Sequence, residues 1–113
     1  MKKELVEDIV NWSKSVFPDL TAEKQTLKLN EEMDELERAE TQEEKMYEMA
    51  DIFIVATILH KRFKSELGRR ISSFYDLFEI EPYVEKKMKR NKERVWKKVS
   101  NGTYHHEESE KDE

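Results

Sequence analysis

The chain has 113 residues, 42% of them charged and 36% apolar, with two glycines, two prolines and no cysteine. That length suits one domain with one core, and the composition suits long charged amphipathic helices rather than sheets joined by tight turns. The absence of cysteine excludes a disulfide framework and a thiolate zinc site, and no apolar run reaches the roughly 20 residues of a membrane span.

Met1-Lys-Lys-Glu leads straight into an amphipathic pattern with no signal peptide, so a soluble, cytoplasmic protein without a membrane partner is expected. The net charge of −5 conceals a polarity: residues 23–51 hold eleven acids against four bases, and residues 81–99 hold eight bases against three acids. Those segments either neutralise each other across a helix interface or face each other as a metal-holding acidic wall and a phosphate-holding basic wall. The acidic whole argues against a nucleic-acid partner despite the basic stretch from Lys86 to Lys98. The low apolar fraction also suggests that the helical faces are completed by a second copy of the chain.

Leu5, Ile9, Trp12 and Val16 recur at helical spacing, which predicts a first helix over about residues 3–16, stopped by Phe17-Pro18. Thr21 caps a second helix with a core stripe of Ala22, Leu29, Met33 and Leu36. Lys28, Glu32 and Glu35 form its flank, while Glu31 points largely away. A lone Glu-x-x-Glu is ordinarily a solvated acidic face, here relieved by a Lys28–Glu32 pair. What changes that reading is the next helix.

Thr41-Gln-Glu-Glu44 is a capping-box pattern, so a third helix begins near Gln42 after a very short connection and runs antiparallel to the second. Its stretch from Glu48 to Leu59 is apolar on nearly every side, as befits the middle of a bundle, yet it carries Glu48 and Asp51. A buried carboxylate must be protonated, paired or bound to a cation. The helical hairpin brings Glu48 and Asp51 to the flank of Glu32 and Glu35. Four converging carboxylates call for a hard divalent ion, magnesium with manganese as a substitute.

The third helix is expected to run to about Ser65, with Leu67-Gly68 as its stop, followed by an aromatic short helix over residues 71–80 that serves as core or subunit contact. Pro82 suits the start of a last helix with the stripe Val84, Met88, Asn91, Val95 and Val99. Asn91 in an apolar line is either a satisfied, register-setting amide or, with Lys87 and Arg94 beside it, a ligand of phosphate oxygens. Asn101-Gly102 marks a turn before Tyr104-His105-His106; the two histidines are expected to be exposed, the other reading being transition-metal ligands. The domain division is residues 1–100 and a C-terminal extension, 101–113, ending in a disordered acidic tail over Glu107–Glu113.

Taken together, Lys28-Leu-Asn-Glu-Glu-Met-Asp-Glu35 and Glu48-Met-Ala-Asp51, with Trp12-Ser and Phe17-Pro18 upstream and Lys87-Met-Lys-Arg-Asn91-Lys-Glu-Arg94-Val-Trp96 downstream, resemble the MazG-like all-α nucleoside triphosphate pyrophosphohydrolases, in particular short phage-type or bacterial members. The closing Asn-Gly-x-Tyr-His-His extends the resemblance, which spans about residues 5–106. It implies an all-α fold of four or five helices completed by oligomerisation to a homodimer or homotetramer. It also implies Mg2+-dependent hydrolysis of nucleoside triphosphates, ribo or deoxyribo, to monophosphate and pyrophosphate. Glu32, Glu35, Glu48 and Asp51 would then be the metal ligands, and Lys87 and Asn91, with Arg94, the phosphate contacts. Trp12 is either core or a stacking surface for the base, and Glu31 a candidate base behind the ligands. Residues 69–80 match no motif of the family. Relatives with another substrate, a dUTPase or a phosphoribosyl-ATP pyrophosphohydrolase, are the alternatives within the class. A non-catalytic helical oligomerisation module is the alternative outside it.

Overall fold

Threonine hydroxyls start two of the helices, as expected from the local sequence. In the computed structural model, which describes residues 1–106, Thr21 Oγ1 accepts from the Lys24 amide at 3.2 Å and Thr41 Oγ1 from the Glu44 amide at 3.1 Å. The Glu44 carboxylate reaches back one residue further than a capping box requires, to the Glu40 amide at 3.1 Å. The elements are α1 (Lys3–Val16), α2 (Ala22–Arg38), α3 (Gln42–Phe63), α4 (Glu66–Ser72), a 3-10 turn (Tyr75–Leu77), α5 (Glu81–Glu93), β1 (Trp96–Lys98) and β2 (Tyr104–His106). The fold is all-α, five helices with one small hairpin. The acidic tail expected over Glu107–Glu113 lies outside the described residues.

Helix α3 is the axis, packed by α1, α2, α4 and α5, so every side chain from Phe53 to Leu59 is buried. Thr57 satisfies its buried hydroxyl on the Phe53 carbonyl at 2.7 Å. Around α3, Ile9, Phe17, Ile54, Ile58, Val84 and Met88 form one continuous core. Arg62 on α3 closes the C-terminal end of α1, its Nη1 donating at 3.1 Å to the carbonyls of both Ser13 and Phe17. A cation there also complements the helix dipole.

Four expectations are corrected. Helix α3 ends at Phe63 with Lys64 in the left-handed conformation (φ 55°), and Gly68 lies inside α4 instead of stopping α3. On α2 the buried residues are Gln25, Leu29 and Glu32, while Ala22 and Met33 are exposed, so its inward face is rotated toward the carboxylates. Residues 71–80 hold the end of α4 and a 3-10 turn in place of one short helix. The last helix stops at Glu93, leaving Val95 exposed and Val99 in the hairpin loop.

The chain turns there because the Trp96 indole donates to the Asn91 carbonyl at 3.0 Å, satisfying a group that a further helical turn would have used. β1 and β2 then pair antiparallel, with Trp96 opposite His106 and Lys98 opposite Tyr104. The residue 100 boundary expected from the sequence falls within this hairpin. Gly102 makes the turn at φ +84°, and a β-carbon there would come within 2.7 Å of the Lys24 side chain.

Candidate metal centre

Helices α2 and α3, antiparallel across the short link at residues 39–41, place Glu32 level with Glu48 and Asp51. One carboxylate oxygen from each of these three lies within 4.8 Å of the others. Glu32 is 5% exposed, and Glu48 and Asp51 are half-buried. Glu35, one turn on from Glu32, is exposed and lines the same cleft. Two lysines offset part of the charge: Lys28 Nζ is 3.5 Å from Glu32 Oε1, and Lys87 Nζ is 2.9 Å from Asp51 Oδ2. The other oxygens, Glu32 Oε2 and Glu48 Oε2, are buried without a hydrogen-bond partner.

Burial, then the Asp51 charge, pushes the Glu32 carboxyl up to about 9, and burial with the neighbouring Glu35 carboxyl pushes Glu48 up to about 7. A carboxyl whose folded pKa lies above its unfolded one holds its proton more tightly in the folded chain. Its contribution to stability is therefore complete in acid, below about 4.5, and is lost as pH rises through about 7 for Glu48 and about 9 for Glu32. Asp19 and Glu66, held at about 2 by Lys98 and Arg69, stay ionised across that window and add no slope. In a chelating buffer the melting temperature is expected to fall between pH 5 and pH 9, and millimolar Mg2+ to restore it at the alkaline end by binding the folded state. Melting temperatures flat across that range, with and without Mg2+, would contradict the arrangement.

The facing wall comes from α5. Lys87 and Asn91 are buried on its inner side, and Arg94 is half-buried at its end. Asn91 Oδ1 accepts from Arg94 Nη1 at 3.4 Å, and its Nδ2 faces the Met88 sulfur at 3.9 Å. Nine of the residues singled out in the sequence, Trp12, Lys28, Glu32, Glu35, Glu48, Asp51, Lys87, Asn91 and Arg94, line one cleft of about 320 Å³. Small-ligand sites run from roughly 300 to 1,000 Å³. Trp12 joins both readings, half-buried in an aromatic cluster and lining the cleft.

Glu31 does not line the cleft; its Oε2 lies 3.1 Å from His105 Nε2. That moves it from candidate base to tether. His105 and His106, expected to be exposed, are half-buried in β2 and line the cleft with Trp96, Tyr104 and Gln25. Sequence reasoning missed this third wall. The signal was the Asn-Gly turn between two short aromatic-bearing segments, a hairpin pattern too brief to stand on its own.

The donor set is all oxygen, and two of its residues, Glu32 and Glu48, each keep a buried carboxylate oxygen without a partner, which fits a hard divalent cation of the magnesium or manganese type. Comparison with models of known protein families, with curated proteins and with solved structures gives no match.

Proposed function

We propose that the protein is a MazG-like, Mg2+-dependent nucleoside triphosphate pyrophosphohydrolase, converting (d)NTP to (d)NMP and pyrophosphate. The observation that carries this reading is the convergence of Glu32, Glu48 and Asp51 within 4.8 Å at the floor of a cleft whose other wall is cationic, with two buried carboxylate oxygens left unpartnered. Glu32, Glu48 and Asp51 would hold the metal, Glu35 adding a ligand at the mouth. When bound, Mg2+ supplies Lewis acidity and lowers the pKa of the water that attacks the α-phosphorus. The α–β phosphoanhydride bond then breaks, and the leaving pyrophosphate keeps the bridging oxygen.

Lys87, Asn91 and Arg94 hold the phosphate chain in line and offset the charge that grows on the leaving group. Lys87 bonds Asp51 and Lys28 pairs Glu32, so both cations stand within reach of an incoming triphosphate. The homodimer or homotetramer that the family resemblance implies belongs to the same proposal; Phe74 and Leu77, 54% and 73% exposed, are the apolar surface in question.

The same two ion pairs also favour the other class of reading, in which acidic and basic segments neutralise each other inside a non-catalytic module. The two are separated by pyrophosphate release from a panel of ribo- and deoxyribonucleoside triphosphates, dUTP and phosphoribosyl-ATP included, with and without Mg2+, with sedimentation of the same sample for its oligomeric state. Monophosphate and pyrophosphate appearing only with Mg2+ support the hydrolase. No turnover of any substrate, together with no Mg2+ binding by calorimetry, leaves the interaction module.

A further inference from the structure

The cleft has two chemically different ends. One is the carboxylate floor with Lys87 and Arg94; the other is a continuous aromatic surface that needs the C-terminal hairpin to exist. Phe17 is its hub, edge-to-face with Trp12 at 5.2 Å and Trp96 at 5.3 Å and tilted against Tyr104 at 4.4 Å. Trp96 in turn meets His106 edge-on at 5.7 Å across the strand pair. Trp12, Trp96, Tyr104 and His106 are each only half-buried and all line the cleft.

The hairpin is tethered at three points along the same side of the bundle. Asp19 bonds both Lys98 and Tyr104, Lys24 Nζ donates to the Asn101 carbonyl at 2.9 Å, and His105 meets Glu31. Two three-residue strands would not hold together alone, so these bonds and the aromatic packing set the wall's position. A ligand matching both ends carries a polyanion and a flat heteroaromatic group.

Resting on the pyrophosphohydrolase reading, we propose that the C-terminal hairpin is the nucleoside-reading wall of the site, the substrate's base docking on the face formed by Trp96, Tyr104 and His106 with Trp12. Aromatic stacking on a base accepts any base, because every base offers a π-face, and Ala substitution at such platforms typically costs about 1–3 kcal/mol, or roughly 5- to 150-fold in affinity. The hairpin therefore sets KM for the nucleoside end, while α2, α3 and α5 set the phosphate end.

The test uses two readouts on the full chain. Tyr104→Ala and His106→Ala are each expected to raise KM for the best nucleoside triphosphate about tenfold or more, with kcat little changed and with the inhibition constant of imidodiphosphate, which has no base, within about twofold of wild type. Independently of turnover, a free nucleoside without Mg2+ is expected to quench the fluorescence of the protein's two tryptophans, Trp12 and Trp96, and to quench less in Tyr104→Ala. If triphosphates are hydrolysed but KM is unmoved in both alanine variants and nucleoside does not quench, the hairpin proposal falls and the pyrophosphohydrolase reading stands. If no triphosphate turns over, the reaction assignment falls, and nucleoside quenching alone decides whether the wall binds a base.

Discussion

Replacing Glu48 by glutamine is expected to lower the proposed Mg2+-dependent pyrophosphate release by at least about a hundredfold while the protein stays folded. Partners that merely orient a metal ligand typically cost about 10- to 100-fold when removed, and loss of a ligand's charge costs no less. Glutamine keeps the shape and one acceptor oxygen of Glu48 but removes a carboxylate pressed by burial, by Glu35 and by Asp51. For that reason the metal-free variant is expected to melt no lower than wild type at pH 8. Glu35→Gln, on an exposed position at the mouth, is expected to lose less activity than Glu48→Gln. Circular-dichroism melts alongside the release assay read both effects. A Glu48→Gln protein that keeps more than a tenth of the activity would remove the carboxylate cluster from the reaction.

Gly68→Ala carries the largest expected structural effect. Helix α4 crosses α3 so closely at Gly68 that a β-carbon would lie 2.7 Å from the Ala56 carbonyl oxygen, 2.7 Å from Leu59 Cβ and 2.8 Å from the His60 nitrogen. Two of those atoms are backbone of the central helix and cannot swing aside, so the helices must part. Overpacking of this kind typically costs about 1–3 kcal/mol, which for a domain of this size lowers the melting temperature by about 10 °C. The neighbouring Leu67→Ala, on an exposed side chain, is the control and is expected to stay within about 0.5 kcal/mol of wild type. Equal melting temperatures for the two variants would mean that α3 and α4 do not approach this closely.

The glycine also illustrates what could be read in advance. As a residue type it signals a helix end, and that is how its sequence position reads. Its use in the fold is to let two helices touch, while Lys64 takes the left-handed turn in its place. Helix starts fared better, because a cap is a local bond: Thr21 and Thr41 each accept from an amide three residues on, whatever surrounds them.

The carboxylate cluster was legible for a similar reason. Three-residue spacing, Glu32 to Glu35 and Glu48 to Asp51, puts both members of each pair on neighbouring positions of one helix face, and the short link at residues 39–41 fixes the height at which the two helices meet. The inward face of α2 was not legible in the same way. Apolar residues alone point to Ala22, Leu29, Met33 and Leu36, whereas the fold buries Gln25, Leu29 and Glu32. Hydrophobicity cannot foresee that a glutamate goes inward: the Lys28 pair is local to the helix, but the cluster with Glu48 and Asp51 across the helix pair comes from packing.

By itself, then, the sequence determined the helical class, the caps, the antiparallel α2–α3 pair and the carboxylates that this pair brings together, since each depends on spacing within one element or across one short loop. Only the tertiary structure decided the third wall. Residues 96–106 have no local strength as a hairpin, and they take that form because Trp96 finds the Asn91 carbonyl, Lys98 and Tyr104 find Asp19, and the aromatic rings find Trp12 and Phe17 more than 75 positions earlier in the chain. Contacts that distant are selected by the shape of the assembled bundle, which no local pattern encodes.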